Sequence, residues 1–196
     1  MSPEARAGRR RGGVASRCPA SCLVMAGGRG ERLWGPSKPL VDVCGEPMIL
    51  RVARALARSG VCPFVAIAYS PRSRAVLSLP WEEVPASIVF IETLGAGYPE
   101  DMPRALQELP QPTLVVPADM PHLTPRLVAR IAERLCSTEG DIVNLVGPRG
   151  LTGISLHRRR TPTDRWANVE LEGVEEWRLI DVDTPGDLEE ARRRCA

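Results

Sequence analysis

The sequence predicts a single α/β domain of Rossmann-like kind, a doubly wound, mostly parallel sheet with helices on both faces. Three observations predict it. Short apolar runs alternate with segments of helical periodicity over residues 21–196. Several of these runs are apolar on both faces, as strands covered on each side by helices must be. The residues that carry chemistry follow directly after strand-like runs, where open α/β sheets bind their ligands. A chain of 196 residues suits one such domain.

The elements follow in order. Residues 1–20 read as a disordered basic N-terminal tail, rich in Arg, Ala and Gly, ahead of one folded domain at 21–196. The tail has no apolar stretch of the kind a secretory signal needs. Residues 22–26 form a buried strand feeding Gly27-Gly28, and 40–43 give a brief extended segment before Gly45. Met48, Ile49, Val52, Ala53, Leu56 and Ala57 keep helical spacing over 48–59, closed by Gly60. Residues 64–68 and 87–91 are strands, the second leading to a glycine-rich turn at Gly95 and Gly97. A helix over 99–109 carries Glu100 and Asp101 in its first turn, where its dipole favours them. Residues 113–116 are a strand with Asp119 just past its end. The next helix covers 124–135, with Thr124 as cap and Pro125 at its first position. Residues 141–146 read as a strand, with further strands near 153–156 and 177–182. Thr184 and Asp187 form a capping-box variant that opens the last helix.

Composition excludes several functions. A net charge of +2 gives no general affinity for nucleic acid. No apolar run reaches the roughly 18–20 residues of a membrane span. The six cysteines form no CxxC pair, and His122 and His157 are the sole histidines, so zinc sites and a disulfide framework are not expected. Free thiols in a reducing cytoplasm are the expectation. Of 26 basic residues, 25 are Arg and one is Lys38. A compact ammonium kept at one position in an Arg-rich chain marks a place where a mobile point charge is needed in place of a planar fork.

Lys38 stands at the end of a loop that reads Met25-Ala26-Gly27-Gly28-Arg29-Gly30-Glu31-Arg32, then Lys38-Pro39-Leu40. Glycines after a strand let backbone N–H groups approach an anion without Cβ obstruction, and Arg32 and Lys38 add two cations. That equipment suits a triphosphate. Lys38 follows Ser37, so the loop is not a Walker A motif, and Leu33 stands where a dinucleotide fingerprint needs its third glycine.

The loop resembles the signature of the nucleotidyltransferase superfamily of sugar-nucleotide pyrophosphorylases and molybdenum-cofactor nucleotidyltransferases. Val43-x-Gly45-x-Pro47-Met48-Ile49 continues the resemblance. Further on, Gly95-Ala96-Gly97-Tyr98-Pro99-Glu100-Asp101-Met102 is similar to the Gly-x-Gly-Tyr-x-Glu-Asp segment of archaeal-type GTP:adenosylcobinamide-phosphate guanylyltransferases. The resemblance implies GTP as donor, a phosphorylated corrinoid as acceptor, Mg²⁺ as cofactor, a cytoplasmic enzyme and a homodimer. It implies that Ala26, Gly27, Gly28, Gly30, Lys38, Thr93, Gly95, Gly97, Tyr98 and Asp101 bind the nucleotide, with Arg32 and Lys38 catalytic. A base-reading role for the Thr93–Asp101 stretch stands beside a plain loop-to-helix junction. Asp119 falls where the superfamily holds its metal. Gly153 and Ser155 match a segment whose polar residue in relatives helps hold acceptor or metal, with Ser155 replacing their Asn and leaving the second metal ligand open.

The same residues leave other readings open. Asp119-Met120-Pro121 also fits a molybdopterin guanylyl- or cytidylyltransferase, a sugar-phosphate nucleotidyltransferase comes third, and a non-catalytic GTP-binding module is the alternative of a different class. Trp34, Trp166 and Trp177 are candidates for flat apolar contact, though core or interface packing is commoner for Trp.

Overall fold

Strand β1 (Ser21–Met25) is buried on every residue, and its alternation sets the two sides of the molecule. Cys22 and Val24 face one apolar cluster, Leu23 and Met25 another. The computed structural model describes residues 18–27 and 35–195. Gly28, Gly30, Arg32 and Trp34 lie outside the described residues, as does most of the basic tail.

Around β1 a seven-stranded sheet forms in the order β5-β4-β1-β6-β8-β7-β9. Its members are β4 (Val65–Tyr69), β5 (Ile88–Glu92), β6 (Thr113–Pro117), β7 (Ile142–Gly147), β8 (Gly150–His157) and β9 (Trp166–Glu170). Strands β1, β4, β5 and β6 pair in parallel, while β8 runs antiparallel to β6 and β7. Helices α1 (Met48–Ser59) and α3 (Pro125–Ser137) pack on the face reached by Val24, Leu114 and Val116. Helix α2 (Tyr98–Gln107) covers Leu23, Ala66 and Val115 on the other. The expected α/β architecture with helices on both faces is therefore what forms. Helix α4 (Pro185–Arg193) packs Leu188 and Ala191 against Val43 and Met48, beside a small hairpin of β2 (Asp42–Val43) and β3 (Glu46–Pro47).

The caps behave as their residues dictate. Gly60 takes φ +72° at the C-terminus of α1, a left-handed turn that suits glycine. Thr124 accepts from the Leu127 N–H, and Thr184 and Asp187 cap α4 reciprocally. Sheet order reverses between β1 and β6, which makes their carboxyl ends the switch point where such folds open a crevice. No helix among the described residues is long and apolar enough to cross a membrane.

Two expectations need correction. Residues 177–182 are not a strand: a 3-10 turn covers Glu176–Leu179, and the Val182 N–H donates to the Asp119 carbonyl. The strand lies earlier, in β9, an edge strand with Val169 as its one buried residue and hence no apolar alternation to read. The cysteines are not free thiols. All six are paired, Cys18–Cys136, Cys22–Cys62 and Cys44–Cys195, with Cα–Cα distances of 6.0, 5.8 and 5.1 Å that suit bridging. The partners stand 118, 40 and 151 residues apart, so packing brings them together and no local spacing announces them.

Candidate active site

The glycine turn ahead of α2 meets Gly27 at the carboxyl end of β1. The Ala26 N–H donates to the Ala68 carbonyl, and Gly27 follows against that turn. A Cβ on Gly27 would come within 3.1 Å of Thr93 Oγ1 and 3.7 Å of Asp101 Oδ2, so a side chain there would press on Thr93. Thr93 is buried and its hydroxyl donates to the Tyr69 carbonyl. Asp101, in the first turn of α2, is also buried. Its carboxylate accepts from the Leu94 and Gly95 amides at 3.1 Å each and from the Gly97 amide at 3.3 Å. These are charge-assisted bonds in a dry place, and they fix the course of the turn. Gly95 and Gly97 adopt φ of +71° and +129°, conformations that side chains resist. Ala26, Gly27, Thr93, Gly95, Gly97 and Asp101 are thus brought together as one wall. Within it Asp101 holds the turn; its oxygens are already committed to backbone amides.

Tyr98 carries that wall across to the strand predicted to hold the acceptor. Its hydroxyl reaches the Gly153 carbonyl at a long 3.4 Å, with Ser155 near enough to act on the phenol. Ser155 in turn lies 3.0 Å from His157 Nε2. Burial raises the phenol pKa, with the Asp119 charge adding to it, although 40% of the residue as a whole is exposed. At the ordinary value or above it the phenol is protonated at neutral pH, so it is available as a donor. His157 is buried, and desolvation holds its pKa down to about 4, so the ring is neutral. Gly153 (φ +76°) passes close over Pro117, where a Cβ would come within 2.7 Å of Pro117 Cγ.

The third component is a cluster of carboxylates. Asp119 follows β6, and Asp181 and Asp183 flank Val182 in the extended segment before α4. Val182 is buried and tied through its N–H to the Asp119 carbonyl at 3.0 Å. Alternation along that segment turns Asp181 and Asp183 together to the opposite side, beside Asp119. One oxygen from each lies within 4.8 Å of the others. Lys38, just past the first loop, places its ammonium 2.6 Å from Asp119 Oδ2 and 2.5 Å from Asp183 Oδ1. Burial alone would lower the Lys38 pKa, but the two carboxylates prevail and the net shift is upward, so the ammonium stays charged. Asp181 is raised, first by burial and then by the charges of Asp119 and Asp183.

The cluster fits a hard divalent cation. Three carboxylates against one ammonium leave an excess of two negative charges, a charge that one such cation balances. Asp119 Oδ1 is buried without a partner among the described residues, an orphaned acceptor of the kind an ion satisfies. Carboxylate oxygens are the ligands Mg²⁺ prefers. Asp181 and Asp183 were missed in the sequence, where Asp183 reads as the approach to a helix cap. The Asp-x-Asp alternation ahead of Thr184 was the signal available.

Comparison with known proteins bears on this geometry. The family model for the MobA-like NTP transferase domain matches residues 22–181. The chain is 33% identical over 113 residues to the adenosylcobinamide-phosphate guanylyltransferase of Methanocaldococcus jannaschii, covering 57% of each chain. It is 33% identical over 116 residues to a probable molybdenum cofactor guanylyltransferase of Chloroflexus aggregans, covering 58% of this chain and 52% of that one. The chain thus spans about half the length of these curated relatives. A solved nucleotidyl transferase from Methanothermobacter superposes with a TM-score of 0.66 at 18% identity, over 90% of this chain and 97% of that one. That similarity concerns the fold.

Proposed function

Because the chain belongs to the family of MobA-like NTP transferase domains, we propose that it transfers GMP from GTP to a phosphorylated corrinoid, adenosylcobinamide phosphate, releasing pyrophosphate. The observation that carries the reading is the Asp101-anchored turn of Gly95, Gly97 and Tyr98, set against Gly27 at the end of β1. It supports a purine-nucleotide wall built from the segment that resembles the corrinoid guanylyltransferases. Identity to the archaeal enzyme supports the same reading.

The acceptor phosphate monoester has a second pKa of about 6 and is largely dianionic at neutral pH. Its oxygen attacks the α-phosphorus of GTP in line. A bond forms between acceptor oxygen and α-phosphorus, the bond from that phosphorus to the α–β bridging oxygen breaks, and pyrophosphate leaves with the electron pair. No general base is needed, which suits a site where the neutral His157 meets Ser155 and, among the described residues, no nucleophile is poised. Lys38 supplies a fixed positive charge to the phosphates. Asp119, Asp181 and Asp183 would hold Mg²⁺, which when bound would neutralise phosphate charge. Tyr98 and Ser155 donate to the acceptor side.

The test is pyrophosphate release with GTP, CTP and ATP, each offered adenosylcobinamide phosphate, molybdopterin or a hexose 1-phosphate. Release that requires GTP and the corrinoid supports the assignment. Release with molybdopterin in its place would move the chain to the molybdenum-cofactor branch, toward which its second relative points. GTP affinity without release under any acceptor would make it a binding module.

A further inference from the structure

Beyond the glycine wall, a cavity of about 390 Å³ lies between the start of α3 and the 173–178 segment. That volume falls in the range of small-molecule sites. Three arginines are among the residues that line it, Arg126, Arg130 and Arg178, against one acidic residue, Glu175. Arg178 Nε donates to Glu175 at 2.8 Å, which pairs one charge. Arg130 is held differently: its Nη2 donates to the Glu172 carbonyl at 2.6 Å, and its Nη1 to the Gly173 carbonyl at 3.4 Å. Main-chain carbonyls fix the group in place, and no carboxylate among the described residues pairs its charge. Arg126 is exposed and meets no carboxylate among the described residues. Two positive charges therefore stand unbalanced around a cavity whose other lining includes Leu127 and Val174.

We propose that this cavity is a binding site for an organic phosphate monoester, distinct from the triphosphate loop. Two unpaired guanidiniums match the charge of about −1.5 to −2 that such a phosphate carries at neutral pH, where a carboxylate would bring half of it. Guanidinium groups bind phosphate oxygens through paired N–H donors. Leu127 and Val174 offer contact to the organic body. Both walls run on into the carboxylate cluster: Thr124 follows Asp119 on one chain segment, and Arg178 precedes Asp181 on another. The site does not depend on which nucleotide or acceptor the chain uses.

The probe is phenyl phosphate, titrated into the full chain by calorimetry and by Trp fluorescence. Trp177 reports, since the Arg178 guanidinium stacks on its ring at 4.2 Å, and Trp177→Phe identifies its share of the signal. One molecule of phenyl phosphate is expected per chain, with inorganic phosphate weaker. Arg126→Ala/Arg130→Ala should weaken phenyl phosphate at least tenfold, and Lys38→Ala should leave its affinity within twofold. Arg126→Glu, at an exposed position, should weaken it likewise and serves should loss of the Arg130 bonds unfold the 172–173 turn. Absence of binding, equal binding in these arginine variants, or loss of binding in Lys38→Ala would each overturn the proposal. The last would place the phosphate at the triphosphate loop.

Discussion

Asp101→Asn probes how the nucleotide wall is built. The native carboxylate accepts three backbone amides from a buried position. An Asn carbonyl in the place of Oδ1 still accepts from Leu94 and Gly95. Its amide then faces the Gly97 N–H, donor against donor, and the negative charge that strengthened all three bonds is gone. Hydrogen bonds to charged groups contribute about 1.5–3 kcal/mol each, and a buried donor left alone costs a similar amount. A loss of about 2–3 kcal/mol follows, with two of the bonds surviving in weaker form. For a chain of this size that amounts to a fall of about 5–10 °C in Tm. Thermal unfolding by circular dichroism reads the shift, and GTP titration reads the accompanying loss of affinity as Gly95 and Gly97 lose their orientation. An unchanged Tm with sharply weaker GTP binding would refute the reasoning, since it would make Asp101 a direct nucleotide contact and leave the turn to hold itself.

Other perturbations follow from the same geometry. Lys38→Ala should lower pyrophosphate release by about 10²–10³-fold, the scale of losing one fixed electrostatic group; near-normal turnover in a steady-state assay would contradict its role. Gly27→Ala should weaken GTP binding because its Cβ would crowd Thr93 Oγ1, and the double variant Gly27→Ala/Thr93→Ser, which removes a methyl but keeps that oxygen, should recover little. His157, neutral when folded, has its pKa depressed to about 4, so the unfolded chain binds the extra proton. Its contribution to stability is complete above pH 6.5 and is lost as pH falls toward 4. About 2 kcal/mol should go between pH 7.5 and 5. Urea unfolding at both pH values should show a shallower pH dependence in His157→Gln, and equal slopes would deny the shift. Denatured without reductant after purification in air, the chain should titrate no thiol with Ellman's reagent; six would deny the three pairs.

Much of this fold is written in local patterns. The strand before Gly27, the helix ended by Gly60 and the caps at Thr124 and Thr184 follow from apolar period and cap chemistry, which act within a few residues. Gly95 and Gly97 were legible for the same reason, since their positive φ favours glycine, whereas the close approach of Gly27 is to the distant Thr93. What escaped depends on distant partners. The disulfides join residues far apart in sequence, β9 is an edge strand with one buried side chain, and Asp181 and Asp183 gain meaning through a hydrogen bond from Val182 to Asp119. Lys38 stood out by composition, yet its two carboxylate partners lie 81 and 145 residues away. Asp101 was expected at the nucleotide through the resemblance of its segment to the corrinoid guanylyltransferases; in the structure its carboxylate accepts from the backbone amides of its own turn.

The carboxylate cluster at the switch point is tested most directly by electron paramagnetic resonance of Mn²⁺ titrated into the chain with GTP present. Quenching of the free-ion signal at one ion per chain, lost in both Asp119→Asn and Asp181→Asn while thermal unfolding still shows a folded protein, is the predicted result. Undiminished Mn²⁺ binding in both variants would contradict it.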